Sequence, residues 1–515
     1  MMNDYMTCKM TRAGGLVLFA FVSLFSCHTL SAQNETDVLR YSWTESLGSI
    51  RTTGMGGAYG SLGADLASSV INPAGIGMYR RGDASLSMGL HSSKTKTSLS
   101  SSISLPQNEN DLSATVGSIG LALTIPSVNP DWPFVTVAIS HHKRAIFNQV
   151  LKLEDTEFQQ SLLGVFQDLA TGVHNEDLYD VFPHNASLAW ETYLLDPDGD
   201  DNYNYVTPFE TNTPVMVDRT IERSGNMGET QYSLGGTFRD RISVGATVGT
   251  SKVYFSEDSR HTETPLDPGT DLAEWTYYET LEIEGNGIVA RIGAIANVSK
   301  WMRIGLAWHS PTRLKLSDSY SASINSNWKP GRGRGEGEGY EENHSFTREG
   351  YYEYLVISPS KTIVSGSFLI GKIALLSADY ETTNLSNGKL KNVDSWLSNG
   401  YEFELENEAV EASYNRIHEV RIGLEMRIAK NWRIRSGTGM VTSPYSMESG
   451  VMSNGTRYKA SLGTEFRNEN WYAGVAWTRS WFEEDLYFQD PELQGDPANL
   501  SRSLGMLSIG AGKRL

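Results

Sequence analysis

Apolar and polar side chains alternate with a period of two in stretch after stretch of this chain. Ile242, Val244, Ala246 and Val248 interleave with Ser243, Gly245, Thr247 and Gly249. Met302, Ile304, Leu306 and Trp308 do so with Arg303, Gly305, Ala307 and His309, and Val420 to Ile428 with Glu419 to Arg427. A period of two puts each set on one face of a β-strand. A soluble sandwich turns its apolar face to a core, whereas a membrane barrel turns it to lipid and lines a polar lumen with the other. Alternation alone does not separate the two.

The connections do. Very short ones fall at 239–240, 299–300, 371–372, 429–431 and 467–470, with a proline-bounded turn at 126–133. Long polar ones fall near 257–278, 323–349, 385–410, 443–455 and 482–501, and the longest spans 151–228. Short and long alternate strictly, as in a barrel with tight periplasmic turns and extended extracellular loops. Strands are expected near 83–105, 111–125, 134–150, 229–239, 241–256, 279–298, 301–322, 344–371, 372–384, 411–429, 431–442, 456–467, 470–481 and 502–514, the eighth interrupted by Pro359. Trp301, Trp432 and Trp471 each start a strand after a short turn, where an interfacial aromatic girdle belongs. Several strands exceed the ~9–11 residues needed to cross a bilayer, so they should project beyond its outer surface. The fold class is therefore all-β, a fourteen-stranded antiparallel transmembrane β-barrel over 83–515.

Composition narrows the function. The 515 residues carry 43 basic and 61 acidic side chains, a net charge of -18 that disfavours a nucleic-acid partner. Both cysteines, Cys8 and Cys27, lie in the first 32 residues, which excludes a disulfide scaffold. Lys9 and Arg12, the apolar run from Gly14 to Ser26 and the small-residue stretch Leu30-Ser31-Ala32 read as a secretory signal over 1–32, cleaved after Ala32. A rival reading makes Cys27 a lipidated residue. Either way the chain is exported.

Residues 33–82 have another texture, rich in Gly and Ala and without alternation. Gly54-x-Gly56-x-x-x-Gly60 lacks the spacing and the βαβ setting of a dinucleotide-binding loop. About fifty compact residues ahead of a barrel can fold inside its lumen as a plug. Here Met55-Gly56-Gly57-Ala58 followed by Asn72-Pro73-Ala74-Gly75 resembles the N-terminal hatch of the FadL-type long-chain fatty acid transporters of the outer membrane. Further matches follow the style of that family's Bacteroidetes branch. They are Arg303-Ile304-Gly305-Leu306 through His309-Ser310-Pro311-Thr312, Ser377-Ala378-Asp379-Tyr380-Glu381, and Arg421-Ile422-Gly423-Leu424-Glu425 with Ser443-Pro444-Tyr445.

The resemblance, which covers nearly all of 41–515, implies a fourteen-stranded barrel plugged by a hatch. It also implies passive uptake of hydrophobic, long-chain fatty acid-like molecules, with release when the hatch rearranges, often sideways into the membrane. Asn72, Pro73 and Ala74, with Gly56 and Gly57 as packing positions, are the hatch and gating residues it assigns. Assembly signals of such barrels usually end in an aromatic, and Lys513 and Leu515 depart from that pattern. Expected partners are the hydrophobic ligand, outer-membrane lipid and the barrel-assembly machinery, for a protein that acts as a monomer.

Other constellations weigh less. Leu188, Trp190, Tyr193 and Leu194 form an apolar patch in the longest loop, either packing over the rim or an external capture site. Asp196 to Asp201 clusters oxygen donors, but its Gly199 is misplaced for a calcium loop, so no metal site is expected. His141-His142 raises haem binding, yet neighbours on a strand face opposite ways. His418-Glu419 lacks a second histidine on a helix, and no Gly-x-Ser-x-Gly elbow exists, so neither an enzyme nor a cofactor is expected. Gly331 to Gly339 reads as a flexible polar loop tip. The alternatives to a transporter are an adhesive or structural barrel with a permanent plug, and a haem-binding receptor.

Overall fold

The computed structural model describes residues 35–44, 48–99, 106–333, 343–393, 402–446, 455–488 and 497–515. The expected signal over 1–32, with Cys8 and Cys27, and residues 334–339 of the glycine-rich loop lie outside them. The barrel strands are β1 (Asp83–Leu99), β2 (Gln107–Pro126), β3 (Phe134–Ile146, continuing as Gln149–Phe158), β4 (Val215–Phe238) and β5 (Ile242–Pro265). Next come β6 (Leu272–Asn297), β7 (Met302–His309, continuing as Arg313–Trp328), β8 (Asn343–Ile357, continuing as Lys361–Ile370) and β9 (Ala374–Asn384, continuing as Lys389–Asn392). The circuit ends with β10 (Arg416–Arg427), β11 (Trp432–Val441), β12 (Arg457–Arg467), β13 (Trp471–Leu486) and β14 (Ala498–Arg514). Sequential neighbours pair antiparallel, and β14 ladders with β1 from Asp83↔Arg514 to Leu99↔Ala498. The expected fourteen strands thus close into a barrel, and closure leaves no edge to satisfy in lipid.

Apolar side chains that would be core in a soluble protein face outward. Leu90, Leu123, Ile139, Val248, Ile292, Leu306, Val364, Ile422, Leu462 and Ile509 are all exposed. Aromatic rings bound this belt at both edges. Trp301 stacks on Phe368 and Trp432 meets Phe466 at the short-turn end, while Tyr458 stacks on Trp481 at the other. Trp471 and Trp481 lie on one strand, and a strand rises ~3.3 Å per residue, so at a barrel's tilt the girdles are roughly 25 Å apart. That is the height of a bilayer's apolar layer. No described helix is long and apolar enough to cross a membrane; strands do the crossing.

Above the belt the polarity of the alternation inverts. On β5 the outward set Val244, Val248 gives way to an inward set Val253, Phe255. On β7 and β8 the breaks around Pro311 and Pro359 shift the phase by one residue. Leu314, Leu316, Tyr354 and Val356 therefore point inward where Leu306 and Val364 point out. A one-residue slip moves a whole apolar set to the other face. The upper lumen is consequently an apolar core, joined by Val38, Tyr41, Phe403 and Tyr414.

The N-terminal segment occupies the lumen. It contains α1 (Glu35–Ser42), α2 (Ile50–Gly54), α3 (Ser68–Ile71) and a 3-10 turn at Pro73–Met78. Its residues meet inward-facing positions on widely separated strands, with Gly54 against Gly463, Gly60 against Asp379 and Gly77 against Gly236. The longest connection runs from 159 to 214, shorter than expected because β3 and β4 continue above the membrane with their apolar residues turned inward. It folds into α4 (Leu163–Ala170), α5 (Leu178–Val181) and α6 (Ala186–Glu191), which cap the barrel, and α7 (Glu404–Ser413) lies between β9 and β10.

Candidate functional site

The wall is not laddered all the way up. β2 and β3 pair from Pro126↔Phe134 to Ser118↔His142 and no further, although β2 continues to Gln107 and β3 to Phe158. Two irregularities bracket the end of the ladder. One is in the β1–β2 register at Ser87/Met88, opposite Gly117; the other is in the β3–β4 register at Lys143/Ala145. Beyond them β3 breaks at Phe147-Asn148, and its upper half leans across β1 and β2 without pairing with either. Asn148 Nδ2 donates to Asp111 Oδ2 across the gap at 3.1 Å. Bulges at such places kink a strand and end its pairing.

Behind this gap lies a lumenal cavity of about 290 Å³. Ala145, Phe147 and Gln149 of the kinked strand line it, with Leu39, Arg40 and Trp43 of the N-terminal segment beneath. Phe255, Tyr414, Tyr445, Leu486 and Leu500 give it apolar walls. One side is polar. Arg457 and Arg502 share the Glu484 carboxylate at 3.2 Å each, and Arg223 and Asp485 also line the cavity. The Arg457 guanidinium is also sandwiched between the rings of Trp43 and Phe482, 3.9 Å from each centroid. Arg40 covers the Phe255 ring and pairs with Asp37, which accepts from Tyr354 Oη at 2.6 Å. Burial pushes the Asp37 carboxyl up, and Arg40 opposes it. A long apolar surface with a guanidinium-rich end suits a hydrophobic or amphipathic molecule.

The floor of the site is the N-terminal segment, docked by backbone-to-wall contacts. Helix α2 ends in a Schellman-type turn, with Gly57 N–H on Thr52 O and Gly56 N–H on Thr53 O, both at 3.0 Å. Gly56 and Gly57 have φ of +66° and +84°, a conformation that favours glycine. Asn72 caps the 3-10 turn by accepting from Ala74 N–H at 3.1 Å. Its Nδ2 donates to Gly60 O at 2.7 Å, Ala294 O at 3.3 Å and Leu306 O at 3.4 Å, tying the segment to itself and to β6 and β7. The Pro73 carbonyl lies where a Cβ on Gly245 would be. Asn72, Pro73, Ala74, Gly56 and Gly57 are all buried, and Asn72, Pro73, Ala74 and Gly56 lie against the wall.

Residues that the sequence did not single out complete it. Asp379 accepts the Tyr59 and Gly60 N–H groups on one oxygen, each at 2.8 Å. Arg51 reaches Glu425 at 2.9 Å, and Arg435 joins Glu425 to Glu465. Asp379 stands in one of the matched stretches, but nothing local distinguishes it from any other polar lumenal position.

The apolar patch in the outer loop is placed differently. Leu188 and Leu194 are fully buried in the cap's core, and Trp190 and Tyr193 are partly buried against it. His141 faces away from the lumen onto Thr230 Oγ1 while His142 is buried inside, so the two imidazoles do not converge. Asp196–Asp198 and Asp201–Val206 form a small hairpin, and no group of three metal-ligating side chains occurs among the described residues.

As a sequence, the chain matches no family model and no curated protein. As a structure, it superposes on a FadL homologue of Pseudomonas aeruginosa with TM-score 0.54 and 15% identity, covering 90% of this chain and 98% of that one. The chain has the FadL-type fold. The toluene transporter TodX of P. putida shares it, with TM-score 0.51, 11% identity and coverage of 90% and 97%. So does a TodX deltaS2 mutant described as a monoaromatic hydrocarbon channel, at TM-score 0.52 and 11% identity, over 92% and 99%. With this FadL-type barrel go an apolar belt, a filled lumen and an incompletely laddered third strand.

Proposed function

We propose that this protein is an outer-membrane channel for the passive uptake of hydrophobic small molecules, long-chain fatty acid-like compounds among them. It is exported with a leader removed after Ala32. A ligand enters from outside, rests in the cavity beneath the cap, and leaves sideways through the gap between β2 and the kinked β3. The N-terminal segment serves as a hatch that closes the direct route to the periplasm, with Asn72-Pro73-Ala74 at its hinge on the wall. The cavity of about 290 Å³, lined by Ala145, Phe147 and Gln149 of the strand whose ladder to β2 stops at His142, supports this reading. Its apolar walls offer burial worth roughly 25 cal/mol per Å² of ligand surface, and the bilayer beyond the gap offers the same solvent.

The test is accumulation of radiolabelled long-chain fatty acid, and separately of toluene, in cells with and without the protein. Ala145→Trp, which fills the cavity beside the gap, should bring uptake down to that of cells lacking the protein while the barrel stays folded. Equal uptake with and without the wild-type protein would sink the channel reading.

A further inference from the structure

The rim formed by the short turns carries the opposite charge to the chain as a whole. In a protein of net charge -18, its exposed side chains include Arg81, Arg241, Lys300, Lys372, Lys430 and Lys513. None of these six makes an ion pair or a side-chain hydrogen bond among the described residues. Two other rim arginines are neutralised, Arg80 by Asp240 at 2.6 Å and Arg239 by Asp131 at 2.8 Å. Of the rim acids, Asp131 and Asp240 are used in these pairs, Asp83 is buried among tyrosines, and Glu469 stands alone.

The position of the lysines relative to the apolar belt is the second observation. Lys300 precedes Trp301, Lys430 stands two before Trp432, and Lys513 is directly opposite Trp471 in the β13–β14 ladder. Each thus stands level with the aromatic girdle or just beyond it, at the depth of lipid headgroups. The other edge of the belt is mixed in sign, with outward Lys252, Glu284, Arg479 and Glu483. Basic groups at one belt edge attract anionic lipid in the adjoining leaflet, and long side chains reach the phosphates by snorkelling.

We propose that this ring binds the phosphates of anionic phospholipids in the periplasmic leaflet, holding a shell of them around the barrel. The proposal is independent of what the lumen carries.

Native mass spectrometry of the full-length protein tests it, with phosphatidylglycerol and phosphatidylcholine of identical acyl chains supplied together. The wild type should retain phosphatidylglycerol preferentially. Replacing Lys300, Lys372, Lys430 and Lys513 by Gln should erode the preference by about fivefold per lysine. The same four positions changed to Arg should keep it, which separates charge from folding. Equal retention of the two lipids by the wild type, or a preference unchanged in the Gln variant, would overturn the proposal. So would stripping of the lipid by millimolar inorganic phosphate, which indicates a free-anion site. Binding of polyglutamate without lipid preference would also overturn it, assigning the rim to an acidic protein.

Discussion

Asn72 spends every hydrogen-bonding atom of its side chain on backbone, two groups of its own segment and two of the barrel wall. Truncation to Ala leaves buried carbonyls unpaired, at about 1–3 kcal/mol for the group lost. Asn72→Ala should therefore raise hydrogen exchange across residues 60–78 and leave the strands protected. A bulkier wall should act more strongly. Gly245 faces Gly235 and Gly293 in the ladders, and the turn after Asn72 lies flat on all three. Gly245→Val should expel the turn and open the N-terminal segment to protease. The importance of Asn72 was legible because its motif is local. That of Asp379 was not, since its two N–H partners lie some 320 residues away in the chain.

Among elements, the alternation announced the strands but not their full length. The polar stretches 257–278 and 215–228 read in sequence as loop, so β4 to β6 were expected to be shorter than they are. The inversion of polarity above the belt marks where lipid ends and water begins. The cap is held by a similarly long-range device. Glu263, fully buried, accepts from Ser161 Oγ, from Leu162 N–H at 2.8 Å and from Trp275 Nε1 at 3.1 Å. His261 contacts the carboxylate rather than Ser161, so the trio is a pin and not a nucleophile with its base. Glu263→Ala should free the 159–214 connection to protease at no cost to the barrel's heat resistance on gels. The kink in β3 had no sequence signal either, because Phe147-Asn148 contains neither proline nor glycine.

At the scale of the molecule, fourteen strands enclose a lumen that residues 35–44 and 48–79 occupy. Removing that segment should convert a barrel of low conductance in planar bilayers into an open pore; unchanged conductance would mean that the loops, not the segment, close it. Strand number, topology and the membrane-facing surface were readable from period and loop length. The cavity was not, since its lining comes from the N-terminal segment, β1, β3, β4, β5, β12, β13, β14 and the connections carrying Tyr414 and Tyr445, which meet only when the barrel closes. Lateral exit at β3 can be tested by crosslinking, because residues 33–515 contain no cysteine. Cysteines at Asp111 and Asn148, already in contact across the gap, form a switchable staple. Uptake of labelled fatty acid by this double variant should fall on oxidation to the level of cells without the protein and recover on reduction. Uptake that is the same oxidised and reduced, with the crosslink verified, would contradict lateral exit.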